Sequence, residues 1–110
     1  MATAYKPAQV QGTESADTYA TLYETPAATE AIVSTIVICN TAAAPATYRI
    51  GLDTSAGTPG ASEWLVYDAT VAANDSTFLT VGASLDAGKF VRVSSSANTI
   101  TFTAFVSEIS

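Results

Sequence analysis

The side chains in this sequence that could do chemistry are few. There is no histidine, so the commonest general base and the commonest nitrogen ligand for a metal are missing. Ser–His and Cys–His nucleophile pairs are excluded with it. Asp53, Glu63, Asp68, Asp75 and Asp86 could in principle pair as acid and base. Each falls at a strand end or a turn, where a solvated cap is the ordinary role. Calcium would need alternating Asp/Asn positions closed by a bidentate Glu, and no such run is present. Gly51, Gly57 and Gly60 have neither phosphate-loop nor dinucleotide spacing. Cys39 is the single cysteine and cannot make an intrachain disulfide. It sits in the most apolar run of the chain and reads as a small buried hydrophobe. Exposed rings among Tyr23, Tyr48, Trp64 and Tyr67 could stack on sugars. Tyr48 and Tyr67, however, lie on apolar parities and read as core. Trp64 has the opposite parity from Tyr67 and is the ring expected at an interface or loop edge. The expectation is a protein that is not an enzyme and needs no cofactor or metal.

The elements that must position these residues are strands. "TYATLYE" (18–24), "AIVSTIVICN" (31–40), "ATYRIGLD" (46–53), "SEWLVYDATV" (62–71), "STFLTV" (76–81), "KFVRVSS" (89–95) and "TITFTAFVSEI" (99–109) are rich in β-branched and aromatic residues. Turn chemistry separates them. "AAND" (72–75) offers Asn and Asp, "LDAGK" (85–89) places Gly88 where a tight turn needs positive φ, and "SSSAN" (94–98) can close a hairpin. "TSAGTPGAS" (54–62) reads as an exposed, mobile loop pointing outward, and "TPAATEA" (25–31) as one possible short turn of helix. The fold class is therefore all-β: a seven- to eight-stranded antiparallel β-sandwich, Ig-like or jelly-roll. Residues 17–110 make the sandwich. Residues 1–16 read either as a frayed terminus or as an extended N-terminal arm that orders on a neighbour, with Tyr5, Lys6, Pro7 and Val10 as its contacts.

Composition narrows the function. The 110 residues are 48% hydrophobic and only 13% charged, with a net charge of −6. About 25% charged is usual, so much of this surface is neutral and cheap to desolvate against a partner. Lys6, Arg49, Lys89 and Arg92 are the only basic residues and are scattered, which argues against nucleic acid. The opening "MATAYKPAQVQGTES" lacks the apolar core of a secretion signal, and no run approaches the roughly 20 apolar residues of a membrane span.

"AIVSTIVICN" poses a specific problem, because both of its parities are largely apolar. One face must meet the opposite sheet, through Val33, Val37 and Cys39 or through Ile32, Ile36 and Ile38. The other is expected against a neighbouring subunit or the chain's own termini, the subunit being preferred, which makes Ile32, Ile36, Ile38, Trp64 and Phe105 the interface candidates. Loops folded over the back of a central strand are the competing expectation.

Taken in order, "TLYETPAATEAIVSTIVICNT" (21–41), "ATYRIGL" (46–52), "LVYDATVAANDSTFLTVG" (65–82), "LDAGKFVRVSSS" (85–96) and "FTAFVSEI" (102–109) resemble small β-sandwich virion proteins of tailed bacteriophages. These proteins decorate or cement capsids, or belong to tails. Val106 stands in "AFVSEI" where the resemblance leads one to expect glycine. What the resemblance implies is an architectural role without catalytic residues. It implies a homo-oligomer, a trimer by preference, that is made in the host cytoplasm and placed in the virion, on the outer surface of the head. Its partners are then itself and the major capsid protein, or tail proteins if it is a tail or baseplate subunit. A carbohydrate-binding module is the remaining alternative.

Overall fold

The computed structural model describes residues 3–53, 59–60 and 62–110. They form eight strands: β1 Thr3–Gln11, β2 Ala20–Glu24, β3 Glu30–Asn40, β4 Ala46–Asp53, β5 Trp64–Val71, β6 Ser76–Leu85, β7 Phe90–Ser95 and β8 Ile100–Ile109. Every pairing is antiparallel. Sheet I has the order β1-β8-β3-β6 and sheet II the order β2-β7-β4-β5. First pairs with last, second with seventh, third with sixth and fourth with fifth. The chain is thus a long hairpin rolled so that successive pairs fall in alternate sheets, which is the jelly-roll arrangement. The expected sandwich is present, in its jelly-roll form. Seven strands match the seven sequence segments, and the eighth, β1, comes from residues 1–16.

The turns follow their residues. Asn74 and Gly88 have φ of 54° and 79°, the left-handed region that Asn and Gly tolerate best. Residues 25–31 do not form the helical turn expected of them; they bend through Ala28, at φ 55°. Most of the loop expected at 54–62 lies outside the described residues. Its end is anchored by Pro59, whose ring packs so close to Gly51 that a Cβ there would sit 2.6 Å from it.

A bulge resolves the two apolar faces of β3. Val33 pairs with Val106 and Thr35 with Phe105, so Ser34 is an extra residue against β8. The extra residue reverses the parity. Ala31 and Val33 face inward before the bulge, and Ile36, Ile38 and Asn40 face inward after it. Neither expected row is the core row; each contributes half of it. Ile36 and Ile38 have no exposed surface, so these two interface candidates are core residues. Together with Phe102, Ile50, Val91 and Val93 they fill the space between the sheets, and Tyr48 meets Phe102 edge-on at 6.2 Å. Asn40 is buried among them without penalty. Its Nδ2 donates to the Ala44 carbonyl at 2.8 Å, and its Oδ1 accepts from the Ala42 N–H and the Thr99 hydroxyl, both at 3.1 Å.

Candidate interaction surface

A sandwich has two outer faces, and here they differ in chemistry. On sheet I the strand register aligns four rows across β1, β8, β3 and β6. They are Tyr5–Ser107–Ile32–Ser84, Pro7–Phe105–Thr35–Thr80, Gln9–Thr103–Val37–Phe78 and Gln11–Thr101–Cys39–Ser76. None of these residues is charged. Tyr5 is 81% exposed, Phe78 72%, Phe105 47% and Ile32 44%. A shallow groove of about 290 Å³ runs among Tyr5, Pro7, Ser34, Phe105 and Ser107. Cys39, expected in the core, is instead half-buried on this face.

The middle of the outer face of sheet II is covered by the chain itself. Its centre is Arg49, which lies outward on β4 yet is buried. Opposite it, β5 carries a bulge: Tyr48 pairs with Ala69 and Ile50 with Val66, leaving Tyr67 and Asp68 against one residue, with Asp68 at φ 55°. Arg49 donates from Nε to Asp68 Oδ1 at 2.7 Å and from Nη2 to Oδ2 at 3.2 Å. Its Nη1 reaches the Ala16 carbonyl, Asp17 Oδ1 and the Tyr19 hydroxyl at 3.1, 3.3 and 3.1 Å. The guanidinium also lies 4.1 Å from the centre of the Tyr67 ring. This fork holds the Asp68 carboxyl below the usual carboxylate range and fixes the charge on Arg49. Tyr67 was expected in the core; the bulge turns it out, and it is 57% exposed.

Trp64 belongs to this cluster, half-buried between Tyr19 and Tyr67. Its ring is tilted 40° from Tyr19 and 72° from Tyr67, so the three rings form no coplanar platform for a sugar. Groups of His, Cys, Asp and Glu arranged to hold a metal are absent among the described residues. Among the described residues no helix is long and apolar enough to cross a membrane.

The arm candidates separate in the same way. Residues 3–11 are β1, paired along its whole length with β8 of its own chain. Tyr5 and Pro7 face outward, Val10 packs against the core, and Lys6 has an intramolecular partner. Lys6 Nζ lies 2.9 Å from Glu108 Oε1, while the Tyr23 hydroxyl donates to Glu108 Oε2. Glu108 faces inward and is buried. The Tyr23 hydrogen bond, then Lys6, hold its carboxyl below the usual range, while desolvation and the neighbouring carboxylate push the Tyr23 phenol well up. Sequence reasoning missed this triad, because it joins three strands that are far apart in the chain. It also missed Phe78, since "STFLTV" alternates two apolar-rich parities and nothing local says which faces out.

Comparison with known proteins adds the fold. No protein-family model matches this sequence, and no curated protein matches it. Among solved structures, a chain of the T13 IBDV viral particle superposes with a TM-score of 0.56 over 96% of this chain, at 7% identity. A chain of the infectious bursal disease virus Gx strain superposes with a TM-score of 0.51 over 98%, also at 7% identity. The likeness is one of fold. This chain spans 30% and 37% of those two chains, about a third of each.

Proposed function

We propose that this protein is a non-enzymatic structural component of a virion, a capsid decoration or cement protein that adheres through the outer face of sheet I. The observation that carries this reading is the uncharged character of four aligned rows on a chain whose net charge is −6. A face whose four rows bear Tyr5, Ile32, Phe78 and Phe105 and no charge, with Glu30 only at its end, loses little on desolvation and gains roughly 25 cal/mol for each Å² of apolar surface buried, before association costs. Many copies side by side on a shell add such increments without any strong single contact. Jelly rolls also serve as lectin domains, so the fold supports the reading without deciding it. The two viral chains of similar fold favour the virion over the sugar-binding alternative. A phage head as the site, and three copies grouped at a shell junction, rest on the sequence resemblance.

The test is to mix gold-labelled protein with phage particles that lack it and to locate the gold by electron microscopy. Regular labelling of heads is the expected result. Gold confined to tails moves the function to a tail or baseplate subunit. No labelling of either overturns the virion reading.

A further inference from the structure

Sheet I ends on one side in β1 and on the other in β6, and the two edges are built differently. The Gly12 N–H donates to the Ile100 carbonyl at 2.7 Å, which marks that pair as hydrogen-bonded. Hydrogen-bonded and open pairs alternate along an antiparallel ladder. Tyr5, Pro7, Gln9 and Gln11 therefore direct their backbone groups away from β8, toward the free edge. Pro7 has no N–H to offer there, so the β1 edge is interrupted at its middle. The sheet II edges are interrupted by bulges, at Leu22 in β2 and at Tyr67–Asp68 in β5.

The β6 edge carries no such device between Ser76 and Thr80. The Asn40 N–H donates to the Asp75 carbonyl at 2.9 Å, so by the same alternation Ser76, Phe78 and Thr80 direct their N–H and C=O groups outward. One of the six groups is engaged: the Ser76 N–H meets the Asp75 carboxylate at 2.8 Å. The strand contains neither Pro nor charge, and its bulge falls beyond that stretch: Thr80 pairs with Thr35 and Ala83 with Val33, which leaves Val81 and Gly82, at φ 56°, against Ser34. Natural sheets protect such edges with Lys, Pro or a bulge; the other three edges carry theirs at mid-strand, whereas the β6 bulge leaves residues 76–80 clear.

We propose that β6 is a pairing edge and that its occupant is β6 of a second copy of this chain, antiparallel about a twofold axis at Phe78. In that register Phe78 faces its own mate and Ser76 faces Thr80 of the other copy. Opposed residues exchange both backbone bonds. The two Phe78 rings then stand side by side on one uncharged face, an aromatic cross-strand pair. Charge selects the partner as well. Two copies at −6 repel, yet this edge brings no like charges together: Asp75 opposes Val81, and the two Asp75 side chains stand about 20 Å apart along the strands. The two sheets of type I merge into one eight-stranded sheet with a doubled adhesive face. The contact is smaller than the about 1,200 Å² of a standard interface, so pairing is weak alone and dominates where copies are concentrated, as on a shell. That last step rests on the virion reading; the pairing does not.

Thr80→Pro removes an outward N–H without touching a β3 hydrogen bond, and Phe78→Lys sets two like charges face to face. Sedimentation across a hundredfold range of concentration should show the wild-type chain moving from monomer to dimer. Either variant should shift that midpoint at least tenfold upward. Amide exchange in the wild type should slow at Phe78 and Thr80 as dimer forms and recover on dilution. Phe105→Lys, on the same face but away from the edge, should pair normally. A wild-type chain that stays monomeric, or dimers whose Phe78 and Thr80 amides remain unprotected, would overturn the proposal. Loss of pairing with gold labelling intact would leave the virion reading standing, and the converse would leave the pairing standing.

Discussion

The outer faces of the two sheets use similar devices to opposite ends. Each has a strand whose alternation is broken by a bulge, at Ser34 in β3 and at Tyr67–Asp68 in β5. In sheet II the extra residue delivers a carboxylate to Arg49, and the segment carrying Ala16, Asp17 and Tyr19 folds across to partner and bury the guanidinium, with Tyr67 left exposed beside it. In sheet I the bulge keeps Val33, Ile36 and Ile38 inward on both sides of Ser34, and the outward residues beside them, Ile32, Thr35 and Val37, are neutral. A bulge can therefore close a face or clear it, depending on whether the displaced residues bring charge. The closed face supports the fold, and the open one is free for a partner.

The largest effect should come from breaking the division between inside and outside. Ile36→Asp would bury an unpaired carboxylate, at a cost of several kcal/mol against a total stability of roughly 5–15 kcal/mol. We expect no folded protein by circular dichroism. A cooperative melt near the wild-type temperature would mean that Ile36 is not in the core. The closed face comes next. Arg49→Ala removes a bidentate, charge-assisted contact and strands Asp68, with an expected loss of about 2 kcal/mol and a fall in Tm of roughly 10 °C. Arg49→Lys should recover only part, because a single ammonium cannot span both Asp68 oxygens. Full recovery would reduce the cluster to simple charge.

Some of this was legible in the sequence and some was not, for physical reasons. Strand positions and turns follow from β-branched runs and from Asn74 and Gly88, which act locally. The jelly-roll order depends on pairing residues as distant as Thr3 and Ile109, which local pattern cannot express. Parity fails wherever a bulge intervenes. The Ser34–Thr35 pair, two polar residues inside an apolar run, was the available cue for β3. Asp68 gave a weaker one for β5, as Asp tolerates the left-handed backbone. Residues 3–11 carry few apolar anchors because an edge strand with an open outer side needs few, so their composition resembles a loose arm.

Acid should loosen the contact that ties β1 and β8 to β2 through Lys6, Glu108 and Tyr23. Glu108 is buried with a carboxyl held below its ordinary value of 4.5, so it contributes stability that is present above that pH and lost as pH falls through its folded value. Tyr23 is displaced upward, so its contribution is complete below pH 10 and lost progressively above it. Melting temperature against pH should therefore fall on the acid side below about 4.5. Glu108→Gln should flatten that limb, since the neutral amide does not titrate. An unchanged acid limb would mean that the Glu108 carboxylate, held by Tyr23 and then by Lys6, does not support the fold.

The smallest change in stability should come from the open face, and there a small change is the informative result. Phe105→Lys alters a side chain that is 47% exposed and places one charge at the centre of the neutral rows. Surface substitutions of this kind usually shift stability by no more than about 0.5 kcal/mol. Melting should therefore be nearly unchanged while labelling of particles drops sharply, because a buried lysine without a partner is costly in any interface. If labelling persists, the adhesive surface lies elsewhere. If stability falls as far as in Arg49→Ala, the open face is supporting the fold like the closed one, and the division between the two faces fails.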